Sequence, residues 1–369
     1  MQSKSSTLKL HWKKHLLRFH QSRGTSRGIL TEKPTWYLYT LDASAKSPLT
    51  ISECSPIPKL SIDDLSSLES VLENVCEHFN ASGDFPTIDS SAYPCIQFGI
   101  ESQKQQLASA FGHSGASEFS SGKKGILING LIWMDTIDSM ISQIKAKLES
   151  GFHCLKLKIG ALDFESEIGL IRRIRDQYSK DSLEIRVDAN GAFSPVSALE
   201  KLSRLSRFHI HSIEQPIAAK QWEEMAMLCK NTPIPIALDE ELIGLSAHRH
   251  TELLDSVKPQ YIILKPSLIG GFKASENWIN LCERRDIGWW ATSALESNVG
   301  LNAIAEWIHP LTKAKNINMP QGLGTGLLYS NNIPSPLEIR GEYLFSIPEK
   351  KWDYTALKKF PNTSQPNPA

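Results

Sequence analysis

The sequence predicts an α/β fold, a barrel of parallel strands and crossover helices, preceded by an α+β unit. Three observations predict it. From about Gly125 onward, short apolar runs alternate with amphipathic helical stretches, the pattern of repeated βα units. The strand candidates end on carboxylates and lysines at nearly even spacing. The first 115 or so residues read differently, as strand-like runs followed by helices.

The strand-like runs are LKLHWKKHLLRF and TWYLYTLDA, separated by the polar, glycine-bearing stretch Gln21–Gly28. That stretch suits either a mobile flap, with Arg23 and Arg27 meeting an anionic ligand, or, as the commoner case, an exposed, solvated loop. The segment IDDLSSLESVLENVCEHF puts Leu65, Leu68, Val71, Leu72 and Val75 at helical spacing, which predicts a core-facing stripe. A second helix is expected over Pro94–Phe111. The later strand runs are GILINGLIW, CLKLKIG, LEIRVDAN, HIHSIEQP, PIALDE, YIILKP and GWWATSALES. Helices such as Asp163–Tyr178 and Pro195–Ser206 fall between them. An open doubly wound sheet fits that alternation as well. Its nucleotide-binding form loses support, because no GxGxxG follows the first strand and no Walker A motif occurs. The tail from Asn331 carries GEYLFSIPEKKWDY, expected to return to the N-terminal unit. The final PNTSQPNPA is expected to be disordered.

Lysine plus arginine and aspartate plus glutamate both total 40, so no global charge draws the chain to nucleic acid or to an anionic membrane. No apolar run is long enough to span a bilayer, and the basic N-terminus lacks the apolar core of a secretory signal. The six cysteines are scattered with no CxxC pair, which predicts free thiols in a reducing compartment. The expectation is a cytoplasmic enzyme with a small-molecule partner. Nothing in the sequence assigns an oligomeric state.

The chemistry-bearing residues sit at strand ends. LKLKIG carries Lys156 and Lys158, RVDAN ends on Asp188 and Asn190, and SIEQP carries Glu214. ALDEE carries Asp239 and Glu240, ILKP carries Lys265, and SALES carries Ser293 and Glu296. Asp188, Glu214, Asp239 and Lys265 fall 26, 25 and 26 residues apart, an interval that suits one βα unit. Parallel neighbours would bring all of them to one rim, which in a β/α barrel is where active sites lie. Three carboxylates there would repel one another unless a cation held them. A hard dication with oxygen ligands answers that need. Mg²⁺ is the expected ion, with Mn²⁺ possible, and the absence of histidine and cysteine argues against zinc. Lys158 and Lys265 would flank the site, with a depressed pKa suited to a base. Each residue alone has an ordinary alternative, a rim lysine or a capping acid. The joint pattern is what points to a site.

At these residues the chain resembles the enolase superfamily in its muconate-lactonising-enzyme-like branch. Within that branch it is similar to the family of o-succinylbenzoate synthases. The likeness runs through SRG, ECSPIPKLS, CIQFGIES, NGLIW, KLKIG, RVDANGAF, IEQP, LDEE, LKPSLIGG, TSALESNVG and GLGTGLLYSNN. It implies a modified (β/α)₇β barrel over residues 121–325, a capping domain from residues 1–120, and a segment 326–369 returning to the cap. It implies Asp188, Glu214 and Asp239 as Mg²⁺ ligands, Lys158 as acid/base group and Lys265 as the lysine of the opposite face. Lys156 would orient Lys158, and Asn190 would sit behind the metal ligands. The implied reaction is dehydration of 2-succinyl-6-hydroxy-2,4-cyclohexadiene-1-carboxylate to 2-succinylbenzoate, a step of menaquinone biosynthesis, through a metal-stabilised enediolate. Arg186 would reach the substrate carboxylate or pair with a strand-end acid. Ser293 would meet the succinyl group or cap backbone. Glu296 would contact Lys265 or lie in solvent. Pro58–Lys59 stands where many relatives have a glycine-containing turn.

Two rival readings remain at this stage. A racemase of N-acyl amino acids or an epimerase of dipeptides would use the same metal and both lysines. The dipeptide version is disfavoured by PQGLGTGLL, which lacks an acid to hold an ammonium group. A non-catalytic metal-binding barrel would have no reason to keep all five costly groups.

Overall fold

The chain opens on a long antiparallel hairpin, β1 (Lys9–Thr25) and β2 (Gly28–Leu41), with β3 (Thr50–Cys54) on the far edge of β2. The computed structural model describes residues 8–25, 28–41, 47–112 and 117–357. Pairing breaks after Arg18 and resumes inside the stretch expected to be a loop, with Arg23 opposite Leu30 and Thr25 opposite Gly28. Ladder bonds use main-chain groups, so polar side chains do not prevent pairing. Ser26 and Arg27 lie outside the described residues, and with them the anion contact expected of Arg27.

Two helices, α1 (Leu68–Ser82) and α2 (Pro94–Ala110), cover this sheet. Leu10, Trp36, Leu38, Leu72, Phe79 and Ile96 form the core between them. The first helix starts later than its spacing predicts. The Asp64 carboxylate accepts hydrogen bonds from the N–H and Oγ of Ser66 at 3.0 and 2.6 Å. That local turn competes with helix and leaves Leu65, expected in the core, exposed.

The barrel follows. β4 (Ile126–Leu127) and β5 (Gly130–Ile132) split the GILINGLIW run at Asn129. Then come α3 (Ile137–Glu149), β6 (Cys154–Lys158), α4 (Phe164–Gln177), β7 (Glu184–Asp188), α5 (Pro195–Ser206) and β8 (Ser212–Glu214). After them run α6 (Trp222–Asn231), β9 (Ile236–Leu238), α7 (His250–Val257), β10 (Tyr261–Leu264) and the short α8 (Pro266–Ile269). The series ends with α9 (Gly271–Glu283), β11 (Gly288–Ala291) and α10 (Asn298–Ala314). The α4 and α5 helices match the expected ranges to within a residue, and Asp163 and Ser194 cap them, their side chains accepting from the N–H three residues on.

Strands β5 to β11 are parallel and lie in chain order. Gln321–Gly322 closes the ring. Asn129 N–H donates to Gln321 O at 3.0 Å on one side, and Gly322 N–H donates to Ala291 O at 2.8 Å on the other. This is the expected (β/α)₇β barrel. The tail divides its contacts. Trp352, Tyr354 and Leu357 pack on Tyr37, Tyr39 and Ile51 of the N-terminal unit. The GEYLFS portion does not. Its strand β13 (Tyr343–Ser346) pairs with β12 (Leu337–Arg340) and with β4, whose open edge supplies backbone partners. Residues 358–369, expected to be disordered, lie outside the described residues.

Two carboxylates of the N-terminal unit bind helix starts of the barrel. Glu53, at 0% exposure, accepts from Ser297 N–H at 3.0 Å, Ser297 Oγ at 2.6 Å and Gly300 N–H at 2.9 Å, and from Thr35 Oγ1 at 2.8 Å. Glu101 accepts from the N–H groups of Phe272 and Lys273 at the start of α9. Both satisfy orphan donors and oppose a positive dipole end. Glu53→Ala should therefore strip partners from four buried donors and cost about 3 kcal/mol. Urea unfolding would measure it, and a change within about 0.5 kcal/mol, the range of a neutral surface substitution, would remove Glu53 as the docking contact.

Candidate active site

Side chains alternate along a strand, so Lys156 and Lys158 of β6 share the inner face. The parallel register pairs Lys158 with Asp188 and Asp188 with Glu214. Asp239 and Lys265 directly follow β9 and β10. Lys158, Asp188, Glu214, Asp239 and Lys265, spread over more than a hundred positions, thus reach one rim. The loop after β6 turns at Gly160 (φ +94°), where a Cβ would lie 2.5 Å from the Ala192 Cβ. Only glycine lets the β6 and β7 loops approach so closely.

Ligand atoms from Asp188, Glu214 and Asp239 lie within 4.8 Å of one another, and all three residues are buried. Lys156 donates to Glu214 and lies 3.0 Å from Asp188 Oδ2. Lys158 Nζ is 2.9 Å from Asp188 Oδ2 and donates to Asn190 Oδ1 at 2.7 Å. Lys265 pairs with Asp239. The two flanking lysines thus grip opposite ends of the carboxylate arc.

Electrostatics divides the three acids. Burial disfavours charge on Asp188, but the ammoniums of Lys156, Lys158 and Lys265 outweigh it and hold the carboxyl below its ordinary range. Burial raises Glu214 to about 7, and repulsion from Asp188 and Asp239 adds to that rise against the pull of Lys156. Lys265 moves up from its ordinary value, because Asp239 and Glu240 overcome the effect of burial. The lowering expected for that lysine needs the charge of a dication on the same carboxylates. The donor set fits such an ion. Oxygen ligands alone suit a hard cation, and Glu214 Oε1 is buried with no hydrogen-bond partner among the described residues. An ion on that oxygen would supply what the protein does not.

Above the carboxylates lies a cavity of about 220 Å³. Lys156, Lys158, Lys265, Asn190 and Glu240 belong to its wall. So do apolar residues of the N-terminal unit, Leu30, Ile57 and Leu60, and of the barrel, Leu131, Trp133 and Leu295. Asn190 bridges Lys158 and Glu240, donating to the latter at 3.1 Å. Sequence reasoning missed Trp133, Leu131, Thr325 and Lys59 as wall residues. Apolar ones read as core, and which loop covers a barrel mouth is not written in a strand pattern.

Three expected substrate contacts are placed elsewhere or engaged. Arg186 is fully buried away from the cavity wall, donating to Glu184 and to Pro320 O at 2.7 and 2.9 Å and stacking 4.5 Å from the Trp290 ring centre. Its long side chain fills the barrel interior beneath the acids. Ser293 lines the cavity, but its Oγ donates to Glu296 at 2.6 Å and accepts from Thr325 at 2.8 Å. Glu296 is neither solvated nor ion-paired with Lys265 among the described residues. It is buried and accepts from Ser267, Ser293 and the Ala294 N–H.

Residues 139–346 match the enolase C-terminal domain-like family. The chain is 46% identical to the o-succinylbenzoate synthase of Desulfotalea psychrophila, across 92% of its own length and 99% of that protein's. The chain belongs to the o-succinylbenzoate synthase family of the enolase superfamily. The crystal structure of MenC from Desulfotalea psychrophila LSv54 superposes with a TM-score of 0.77 at 42% identity, covering 92% of this chain and 99% of that one. The N-succinylamino acid racemase of an Amycolatopsis species is 27% identical over 57% of this chain and 55% of that protein. Enzymes of this superfamily use a divalent metal, and the buried triad fits one. Saturating divalent cation should raise the melting temperature, since ligand at about a hundred times Kd stabilises by about 2.7 kcal/mol. Asp239→Asn should abolish that rise. A variant that keeps the full rise in a thermal scan would exclude Asp239 as a ligand.

Proposed function

We propose that the chain dehydrates 2-succinyl-6-hydroxy-2,4-cyclohexadiene-1-carboxylate to 2-succinylbenzoate, with Mg²⁺ as its metal and the cytoplasm as its place. One observation carries the reading. A carboxylate triad lies between two lysines, in a chain that aligns over 92% of its length with an o-succinylbenzoate synthase. The buried free cysteines fit a reducing compartment, and among the described residues no helix is long and apolar enough to cross a membrane.

The chemical problem is a proton α to a carboxylate, a weak acid. A dication held by Asp188, Glu214 and Asp239 would supply positive charge where the substrate carboxylate becomes more negative. Lys158, acting as an amine, takes the α proton. Asn190 and Asp188 fix its Nζ at 2.7 and 2.9 Å, which sets the direction of transfer. The same lysine then returns that proton to the departing hydroxyl. One C–H and one C–O bond break, water leaves, and the ring becomes aromatic. Lys265, at the other end of the arc, faces the developing charge as an ammonium. Leu30, Ile57, Leu60 and Trp133 surround the ring and exclude water.

The two-sided lysine arrangement also favours a second activity, racemisation of an N-succinyl amino acid, which needs a proton acceptor on each face. The two reactions load the lysines differently. Lys158→Ala should lower dehydration by about 10²–10⁴-fold, the usual worth of a positioned acid/base group. Lys265→Arg keeps the positive charge but cannot exchange a proton at neutral pH. It should keep measurable dehydration and lose solvent-deuterium exchange into one enantiomer of an N-succinyl amino acid, followed by proton NMR. Wild-type dehydration by Lys158→Ala would overturn the assignment of the base.

A further inference from the structure

The cavity wall contains four lysines, Lys59, Lys156, Lys158 and Lys265. Three are bound to the acids of the floor, Lys156 to Asp188 and Glu214, Lys158 to Asp188, and Lys265 to Asp239. Lys59 differs from them in each respect that matters. It comes from the N-terminal unit, it is solvent-exposed, and among the described residues it has no ion-pair partner. It therefore stands at the mouth while the others stand at the base.

Its backbone is unusual too. Leu60 N–H and Ser61 N–H both donate to Ile57 O, at 3.1 and 2.9 Å, and Ile57 N–H donates to Ser61 Oγ at 2.7 Å. These bonds tie residues 57–61 into a tight turn. Pro58 occupies the second position and Lys59 the third, with φ +66°. A positive φ after proline is the type II pattern, whose third position suits glycine. A lysine there sits in a backbone conformation that its Cβ disfavours. The turn would be easier to form without it, so folding does not explain the side chain. Strained backbone positions cluster at active sites and ligand clamps.

The proposed substrate and product each carry two carboxylates. One belongs to the six-membered ring, and the other ends the succinyl chain. With the ring carboxylate at the acidic floor and the ring in the apolar belt, the succinyl carboxylate must lie farther out. We propose that Lys59 is the specificity-determining residue for that distal carboxylate. Its ammonium selects ligands that end in an anion and disfavours those that end in an ammonium. N-succinyl amino acids carry the same distal group, so the contact serves both activities. The inference rests on the functional reading above for the identity of the ligand.

Three variants test it. Lys59→Gly removes the cation and relieves the turn, Lys59→Gln removes the cation alone, and Lys59→Glu reverses the charge at equal strain. Lys59→Gly and Lys59→Gln should raise KM for the dehydration substrate about five- to tenfold, the size of one partly exposed ion pair, with little change in kcat. Lys59→Glu should raise it further. Lys59→Gly should melt no lower than wild type, which separates lost recognition from lost folding. Calorimetry with Mg²⁺ should show the same ratios for binding of 2-succinylbenzoate, and no dependence on Lys59 for its succinyl methyl ester. Wild-type KM in Lys59→Gly, or an equal loss with the ester, would overturn the assignment. If the wild type binds 2-succinylbenzoate through Lys59 but dehydrates nothing, the dehydration reading fails and this one stands. If the wild type does not bind 2-succinylbenzoate, the Lys59 assignment fails with it.

Discussion

Three carboxylates buried within 4.8 Å of one another cannot all be charged without compensation, and that constraint organises the site. The protein supplies part of the answer through Lys156, Lys158 and Lys265, which contact Asp188, Glu214 and Asp239. The compensation is uneven. Asp188 faces several ammoniums and stays ionised, while Glu214 lies deep beside two other acids and is pushed up. Its Oε1 has no partner among the donors of the described residues. The residual need for positive charge at that oxygen is what fits the cluster to a cation beyond its own ion pairs.

The same logic, a carboxylate answered by fixed positive charge, joins the two parts of the molecule. Glu53 and Glu101 each bind the N-terminal backbone of a barrel helix, α10 and α9. Lys33, buried and bonded to Ser55, adds a counter-charge near Glu53 and Glu296. These contacts position β3 and the turn that follows it. That turn provides Ile57, Pro58, Lys59 and Leu60 to the cavity. Docking and substrate enclosure are therefore one arrangement: the segment that anchors the N-terminal unit is the segment that roofs the site.

Glu296 shows how a sequence signal can be real and its role misplaced. Its position after a strand run suggests a rim acid. In the fold it is fully buried, with Ser267, Ser293 and the Ala294 N–H around it. It holds Ser293, a wall residue, in place. Arg186 is similar. It lies on the inner face two residues before Asp188 but one layer deeper, where Trp290 and Pro320 O take its guanidinium.

The sequence by itself determined the repeat of βα units, the helix starts at Asp163 and Pro195, and the strand-end carboxylates and lysines that meet at one rim. Those signals are local. Period, caps and interval are set by backbone geometry that each segment carries alone. The level of Asp188 with Lys158 and Glu214 follows from parallel pairing, so it too was legible once the strands were recognised. Tertiary structure decided the rest. The polar stretch after Gln21 extends a hairpin because its partner strand continues beside it, and Leu65 faces solvent because Asp64 builds a turn. Lys59 follows β3, whose Glu53 binds the start of α10 at Ser297 and Gly300, 244 and 247 positions away in the chain. No periodicity encodes a contact at that separation. It depends on where two folded surfaces meet.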